Sequence, residues 1–229
     1  MSDGGTKAGR KRLAGERAAA MVEDGDVVGL GTGSTAAYAI EALGTAVAGG
    51  LDIQGIPTSY QSRALALDVG IPLTALDAVN GVDVAIDGAD EVVGGDLVKG
   101  GGAAHTREKI VDAAAARFVV VIDDSKEVER LSRPVPVEVV PTALPPVREA
   151  ILDHGGDPTL RSAGKKDGPV ITEHGNLILD CDFGEIEDPS ALAGALSKLP
   201  GVLEHGLFVD LAAEIVVGGP DGVQVREIR

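Results

Sequence analysis

The sequence predicts an α/β fold, in which a mostly parallel sheet is flanked by helices and carries a smaller inserted α+β domain. Over roughly the first 130 residues, short runs of Val, Ile and Leu alternate with helical stretches. Strands that are apolar throughout are typical of parallel sheets covered on both faces. After Asp124, prolines cluster and a hairpin pattern replaces the alternation, which indicates a second kind of domain.

The elements of the first region follow in order along the chain. An Ala-rich, charged helix is expected over 10–21, and residues 26–31 read as a buried strand that breaks into a glycine turn. Ser34 or a neighbour is expected to cap the next helix. The other expected elements are helices over 34–47, 59–67 and 104–116, and strands over 53–57, 82–86 and 118–122.

The second region has a different pattern of expected elements. A strand over 137–140 and a helix over 147–154 precede two apolar runs, 170–172 and 177–179, that flank a His-Gly-Asn turn and predict a hairpin. A further helix is expected from Asp188 to about residue 199, and strands over 207–209, 214–217 and 223–228 should return to the first domain. We therefore expect a Rossmann-like catalytic domain formed by residues 1–131 and 205–229, and a smaller α+β domain over 132–204.

Composition and charge exclude several classes of function. A hydrophobic content of 44% indicates a globular protein, and an aromatic content of 2% means that the core is aliphatic. The formal net charge of −16 repels nucleic acid and anionic lipid. The excess of acidic residues is also typical of the surfaces of proteins from salt-loving organisms. Cys181 is the only cysteine, which fits a packed strand residue in a reducing compartment. No run is apolar for the ~18 residues of a membrane helix. We expect a soluble, cytoplasmic protein.

Three turns should form the ligand site. In open parallel sheets, ligands bind outside the carboxyl ends of the strands. The turns after Leu30, Ile86 and Ile122 should therefore converge on one crevice, and all three carry polar residues.

The turn over 29–35, Gly-Leu-Gly-Thr-Gly-Ser-Thr, is suited to an anion. Its glycines let the backbone aim N–H groups at a ligand, and two hydroxyls and a helix N-terminus follow. No Lys precedes the Ser-Thr pair, as a Walker loop requires, and Ala36 stands where a dinucleotide fingerprint has its third Gly. A phosphate monoester fits best, and a purely structural turn is the alternative.

Three further loops carry ionisable groups. Residues 87–91, Asp-Gly-Ala-Asp-Glu, could be catalytic, a solvated acidic loop or an all-oxygen Mg²⁺ site. Lys99, ahead of three glycines, can approach a substrate oxygen closely, and Glu108 falls in the early turns of the following helix. Taken alone, Glu108 would be an exposed helix carboxylate, and His105 is a bystander rather than an acid or base. Lys126 is a phosphate or carbonyl ligand, or an exposed lysine.

Together these loops resemble, in order and spacing, ribose-5-phosphate isomerases of the A type. The resemblance runs from roughly residue 10 to the last residue of the chain, and it rests on many short motifs instead of a single loop. The matching segments are 31–35, 87–91, 99–104, 106–109, 124–126, 136–139, 175–180 and 199–202.

The resemblance implies interconversion of D-ribose 5-phosphate and D-ribulose 5-phosphate without a metal or an organic cofactor, by a homodimer or a dimer of dimers. It makes Glu108 the proton acceptor. Lys11 stands where the family often has a basic residue near the phosphate, and His105 stands where an apolar residue is expected. The implied substrate-binding residues are Thr32, Gly33, Ser34, Thr35, Asp87, Gly88, Ala89, Asp90, Lys99, Gly100, Gly101, Gly102 and Lys126.

The residue types suit this chemistry. A single shielded carboxylate, Glu108, can move a proton between C2 and C1 through an enediolate. Lys99 supplies positive charge where the enediolate oxygen becomes negative. Asp87, with Asp90 near it, can relay protons between O1 and O2 and assist opening of the furanose ring.

Three other functions are weaker alternatives. A non-catalytic sugar-phosphate sensor on a related fold usually carries a DNA-binding helix-turn-helix, but here one convincing helix precedes the first strand and the net charge opposes DNA. Acyl transfer with coenzyme A uses a Glu nucleophile and needs neither the Asp-Gly-Ala-Asp loop nor the Lys-Gly-Gly-Gly loop. An NAD-dependent dehydrogenase would need the complete glycine fingerprint and a ribose-binding acid.

The acidic composition predicts a salt response. Because cations screen repulsion among the carboxylates, the free energy of unfolding should rise steadily as KCl increases from about 0.1 M to molar concentrations. Urea unfolding at each KCl concentration measures it, and the same series in sucrose separates charge screening from general exclusion by the solute. Unfolding of the protein by molar KCl would contradict the expectation.

Overall fold

The computed structural model describes residues 3–165 and 167–228. The helices are α1 (Lys7–Ala19), α2 (Ser34–Ala48), α3 (Tyr60–Asp68), α4 (His105–Ala114), α5 (Leu144–Asp153) and α6 (Pro189–Leu196). The strands are β1 (Val27–Leu30), β2 (Gln54–Pro57), β3 (Val82–Gly88), β4 (Glu91–Val93), β5 (Asp96–Val98), β6 (Ala115–Asp123), β7 (Val135–Val139), β8 (Asp157–Leu160), β9 (Leu177–Asp182), β10 (Val202–His205), β11 (Leu207–Phe208), β12 (Glu214–Gly219) and β13 (Gly222–Glu227).

The chain forms two compact units. Unit 1 contains the described residues up to Ala89, residues 107–126 and the residues from Leu211 onward, and unit 2 contains residues 90–106 and 127–210. The change in composition did not indicate that residues 90–106 belong with the second unit. The division expected from the sequence, at residues 132–204, stays a prediction.

Unit 1 is built on a six-stranded sheet in the order β13-β12-β6-β3-β1-β2. Within this sheet, β12, β6, β3, β1 and β2 each run parallel to their neighbours. The edge strand β13 pairs antiparallel with β12. On one face, Val28 and Leu30 pack in a core with Ala14 of α1 and Leu43 of α2. On the other face α4 packs closely on the sheet at Gly29, where a Cβ would come within 2.7 Å of the Val111 side chain. The predicted mostly parallel, helix-flanked sheet is confirmed.

Unit 2 contains two antiparallel sheets, of four strands (β10-β7-β9-β8) and three strands (β11-β5-β4). The larger sheet shares a core with α5 and α6, in which Val137, Ile151 and Leu196 are fully buried. Cys181 of β9 packs in the same core, and burial raises the pKa of its thiol to about 12. The smaller α+β domain is confirmed as a fold class. The raised pKa keeps the thiol protonated at neutral pH.

Some expected elements differ in the structure. Within residues 170–172 only Ile171 pairs with β9, through an isolated antiparallel bridge to Leu177 across the predicted turn, so the expected hairpin is reduced to one bridge. Strand β9 pairs along its length with β8 and β7. The expected cap of α2, Ser34 or a neighbour, is the neighbour Gly33, which has a φ of 104° and makes no side-chain cap hydrogen bond. The three-residue strands β4 and β5 had no alternating pattern long enough to detect. In the described part of the chain, no helix has the length and apolar run needed to cross a bilayer.

A buried carboxylate ties together part of unit 2. Glu138 of β7 is fully buried and accepts hydrogen bonds from the Thr106 hydroxyl, the Thr172 hydroxyl at 2.7 Å and the Asn176 amide at 3.0 Å. His174 Nδ1 lies 3.2 Å from the same carboxylate. Burial alone would raise the pKa of Glu138, but these hydroxyl and amide donors outweigh it, so the pKa is lowered.

Glu138→Gln should destabilise the protein at neutral pH by about 1–3 kcal/mol, because donors that now face a buried carboxylate lose charged hydrogen bonds. A carboxyl group with a lowered folded-state pKa contributes stability above its unfolded-state pKa, and this is lost as pH falls through the folded-state pKa. The difference between wild type and variant should therefore shrink as pH falls from about 7 to about 3.

Urea unfolding across this pH range measures the difference. The matched control is Glu149→Gln, an exposed position on α5, which should change the free energy of unfolding little at any pH. Equal effects of the two substitutions would refute the role given to the buried network.

Candidate active site

In unit 1, the turn after β1 lies against the carboxylate of Asp87 at the end of β3. Asp87 is fully buried, and its Oδ1 accepts a hydrogen bond from the Thr32 N–H at 2.9 Å. A Cβ on Gly31 would come within 2.3 Å of the Asp87 Cγ, so only glycine allows this approach. The spacing of β1 and β3 therefore holds the Asp87 carboxylate beside the first glycine turn.

Hydroxyl groups surround Thr32 on its other side. The Thr32 Oγ1 donates to the Ser59 Oγ at 2.7 Å and hydrogen-bonds the Thr58 Oγ1 at 2.9 Å. Thr58 and Ser59 are buried at the end of β2, where Ser59 also caps α3. They were not predicted as site residues, although the Pro-Thr-Ser sequence after β2 was visible. Their position beside Thr32 extends the polar edge of the sheet to a third strand.

Three basic residues of α1 reach the same edge of the sheet. Lys11 Nζ donates to the Ser34 hydroxyl at 2.7 Å, and Lys7 Nζ donates to the Ser125 hydroxyl at 2.9 Å. Arg10 forms a two-pronged contact from Nη1 to Asp124, at 2.7 and 2.8 Å. These residues gather positive charge at the turns after β1 and β6, in a chain whose net charge is −16.

The last residue of β6, Asp123, is a second carboxylate held by several contacts. Asp123 is buried and accepts from the Ser125 hydroxyl, with Lys7 Nζ at 3.7 Å. Burial raises the pKa of this carboxyl group, but the Ser125 hydrogen bonds and the charge of Lys7 outweigh it, so the pKa is lowered. Lys126 follows in a short 3₁₀ helix and is half-buried.

Glu108 lies in the first turn of α4 and is 3% exposed. Most glutamates on helices are solvent-exposed, so a buried one at this position marks an unusual site. The shielding from bulk water expected of a carbon-proton base is present at this residue.

In unit 2, the glycine loop, residues 99–102, is held at several points. Lys99 is 2% exposed, its N–H donates to the Gly206 carbonyl at 2.8 Å, and its ammonium lies 5.3 Å from the centre of the Phe208 ring. The Gly101 N–H donates to Asp90 Oδ2 at 2.9 Å. Two of the predicted site residues, Asp90 and Gly101, are therefore in direct contact.

His105 packs beneath this loop. It is fully buried, and a Cβ on Gly100 would come within 2.8 Å of its Nδ1. The φ of Gly100 is 102°, a conformation that favours glycine. His105 therefore packs tightly against the glycine loop, and its description as a bystander of the chemistry stays a prediction. Across residues 3–165 and 167–228, no group of three or more His, Cys, Asp or Glu side chains is arranged to hold a metal ion.

Comparison with known proteins supplies the identification. A family model described as ribose 5-phosphate isomerase A (phosphoriboisomerase A) matches residues 54–222, which is more than half of the chain. The chain belongs to the ribose 5-phosphate isomerase A family. Membership makes it an aldose–ketose isomerase of the pentose phosphate pathway.

Relatives of the family match over nearly their full length. Ribose-5-phosphate isomerase A of Haloarcula marismortui is 64% identical over 228 residues, which covers 100% of this chain and 99% of the relative. The protein of Natronomonas pharaonis is 63% identical and covers 97% and 98%. Both come from halophilic archaea, in line with the acidic composition.

Solved structures of the family agree. Ribose 5-phosphate isomerase A from Methanocaldococcus jannaschii is 43% identical, with a TM-score of 0.93 over 97% of this chain and 100% of that one. A D-ribose-5-phosphate isomerase in complex with phospho-erythronic acid is 44% identical, with a TM-score of 0.93 over 95% of this chain and 97% of that one.

The ribose 5-phosphate isomerase A motifs are distributed between the two units. Unit 1 holds the predicted residues of the first glycine turn, the end of β3, Glu108 and Lys126, whereas unit 2 holds Asp90 and the glycine loop. Four residues at this edge of unit 1 were not predicted from the sequence: Lys7, Arg10, Thr58 and Ser59. One signal was available for Lys7: it stands four residues before Lys11 and so shares its face of α1.

Gly31→Ala should displace Asp87 and lower activity strongly, because the new Cβ would overlap the Asp87 Cγ. A cost of about 1–3 kcal/mol in stability is also expected. Ribose 5-phosphate turnover and the free energy of unfolding measure the two effects. The matched control is Gly81→Ala, since a Cβ there meets no atom within 4 Å. Wild-type turnover in Gly31→Ala would be the contradicting result.

Proposed function

We propose that this chain interconverts D-ribose 5-phosphate and D-ribulose 5-phosphate through an enediolate, with Glu108 as the base that moves the carbon proton. The observation that carries the assignment is a glutamate in the first turn of α4 that is 3% exposed, in a chain of the ribose 5-phosphate isomerase A family. A carboxylate removed from water is a stronger base than an exposed one, because its charged form is less well solvated.

The reaction moves two protons. Glu108 removes the C2 proton of the open-chain aldose, and the resulting enediolate is reprotonated by the same carboxyl group at C1. The O2 hydroxyl must lose a proton and O1 must gain one, and we assign this relay to Asp87, with Asp90. The same pair would assist opening of the furanose ring. Lys99 would stabilise the negative oxygen of the enediolate, as a buried ammonium interacts strongly with developing charge.

The phosphate would be held by residues 32–35 and Lys126. The hydroxyls of Ser34 and Thr35 and the N-terminus of α2 are suited to a phosphate monoester. Two cations of α1 support this assignment, since Lys11 already hydrogen-bonds Ser34 and Lys7 hydrogen-bonds Ser125. Binding energy from the phosphate would orient the reacting carbons. Gly33, Gly88, Ala89 and residues 100–102 would contribute backbone contacts to the sugar.

The family supports the choice of ligand. A relative is described in complex with phospho-erythronic acid, a phosphorylated sugar acid whose carboxylate resembles an enediolate in charge. We extend the same ligand class to this chain. We further propose that the enzyme needs no metal or organic cofactor, acts in the cytoplasm and assembles as a homodimer or a homotetramer.

Glu108→Gln should keep substrate binding and lose turnover by about 10³-fold or more, because the amide cannot accept the carbon proton. Ribulose 5-phosphate formation from ribose 5-phosphate measures turnover, and calorimetric titration with ribose 5-phosphate measures binding. The matched control is Glu41→Gln, an exposed position on α2, which should keep wild-type turnover. Near-normal turnover in Glu108→Gln would overturn the assignment of the base.

A further inference from the structure

We infer that Arg161, held by Asp180, is a positioning residue that fixes the peptide groups of the glycine loop. This inference rests on the proposed function only in taking residues 99–102 as part of the substrate site. No motif with a predicted chemical role contains Arg161 or Asp180.

The two side chains meet because of the register of β8 and β9. Arg161 follows β8 directly, and its N–H donates to the carbonyl of Ile178 at 2.9 Å. Thr159 stands opposite Asp180 in the same ladder. Since side chains two residues apart share one face of a sheet, Arg161 and Asp180 are diagonal neighbours on one face.

Asp180 orients the guanidinium. Arg161 donates to the Asp180 carboxylate through Nε, at 2.9 Å, and through Nη2, so both carboxylate oxygens are used. The Arg161 side chain is 16% exposed. A bidentate pair of this kind fixes the plane of the guanidinium and directs the remaining nitrogen, Nη1, away from the carboxylate.

That nitrogen contacts the glycine loop. Arg161 Nη1 donates to the carbonyl of Gly100 at 2.9 Å and to the carbonyl of Gly101 at 3.2 Å. The peptide group that joins these two residues is also held at its other end, because the Gly101 N–H donates to Asp90 Oδ2. The Arg161 side chain therefore hydrogen-bonds two successive carbonyls. The peptide group between Gly100 and Gly101 is hydrogen-bonded through both its C=O and its N–H.

The Arg161–Asp180 pair acts as a clamp on the glycine loop, and this clamp also orients the N–H of the next residue, Gly102. In a trans peptide the C=O and N–H point in opposite directions, and no cis bond occurs among the described residues. Because the Gly101 carbonyl faces Arg161, the Gly102 N–H points away from the guanidinium. Glycines have wide backbone freedom, so without the clamp this run would sample many orientations. The pair thus gives the loop one preferred set of amide directions.

Arg161→Lys tests the inference, because lysine keeps the charge but cannot form the bidentate pair and also reach two carbonyls. We expect kcat for ribose 5-phosphate to fall by about 10- to 100-fold while KM changes little. Hydrogen exchange of the amides in residues 99–104 should speed up, with other strands of unit 2 unchanged. Asp180→Asn should likewise lower kcat and speed up exchange of the amides in residues 99–104.

Arg130→Lys is the matched control, since Arg130 and Glu185 form an exposed ion pair at 3.7 Å in the same unit. Wild-type kcat and wild-type exchange in both Arg161→Lys and Asp180→Asn would overturn the inference, as would faster exchange throughout unit 2. The exchange measurement is independent of activity. An inactive wild-type enzyme would therefore refute the proposed function, and the exchange measurement would still decide the role of the clamp.

Discussion

Parallel pairing of β1, β3 and β6 is the constraint on which the chemistry of unit 1 depends. Since these strands are neighbours and run in the same direction, their carboxyl ends and the turns that follow them lie at one edge of the sheet. The Asp87 carboxylate beside Thr32 and the contacts of Lys7 and Lys11 with the turn hydroxyls all follow from that arrangement. The close fit of Gly31 against Asp87 shows how little room the pairing leaves.

An acidic protein that handles a phosphate ester must concentrate positive charge locally. In the proposed function α1 would supply it, because Lys7 and Lys11 stand four residues apart on one helix face and Arg10 lies beside them. Each cation hydrogen-bonds a hydroxyl or a carboxylate of the sheet edge, so its side chain is oriented before any ligand arrives. Such orientation reduces the entropy lost on binding an anion.

The sequence allowed the sheet, its helices and the loop residues to be predicted, because apolar strands and glycine turns have strong local signatures. The Asp87 loop and the glycine loop stood out by composition, but their chemical roles came from the family resemblance and stay predictions. The features that could not be predicted depend on contacts between residues that are far apart in the sequence. Arg161 and Asp180 are 19 residues apart and meet through the ladder of β8 and β9. Glu138 accepts hydrogen bonds from two separate segments, the start of α4 and the turn over 172–176. Residues 170–172 had a strand pattern, but only Ile171 pairs with the start of β9, at Leu177, and β8 pairs with the rest of that edge, residues 179–182.

Transfer of the C2 hydrogen tests the central claim, that a single shielded carboxylate carries the proton from C2 to C1. Ribose 5-phosphate labelled with deuterium at C2 would be converted in ordinary water, and the ribulose 5-phosphate formed at early times would be examined by mass spectrometry and NMR. Because Glu108 is buried, part of the label should appear at C1 of the product. Complete loss of the label to solvent at the earliest times would contradict the account.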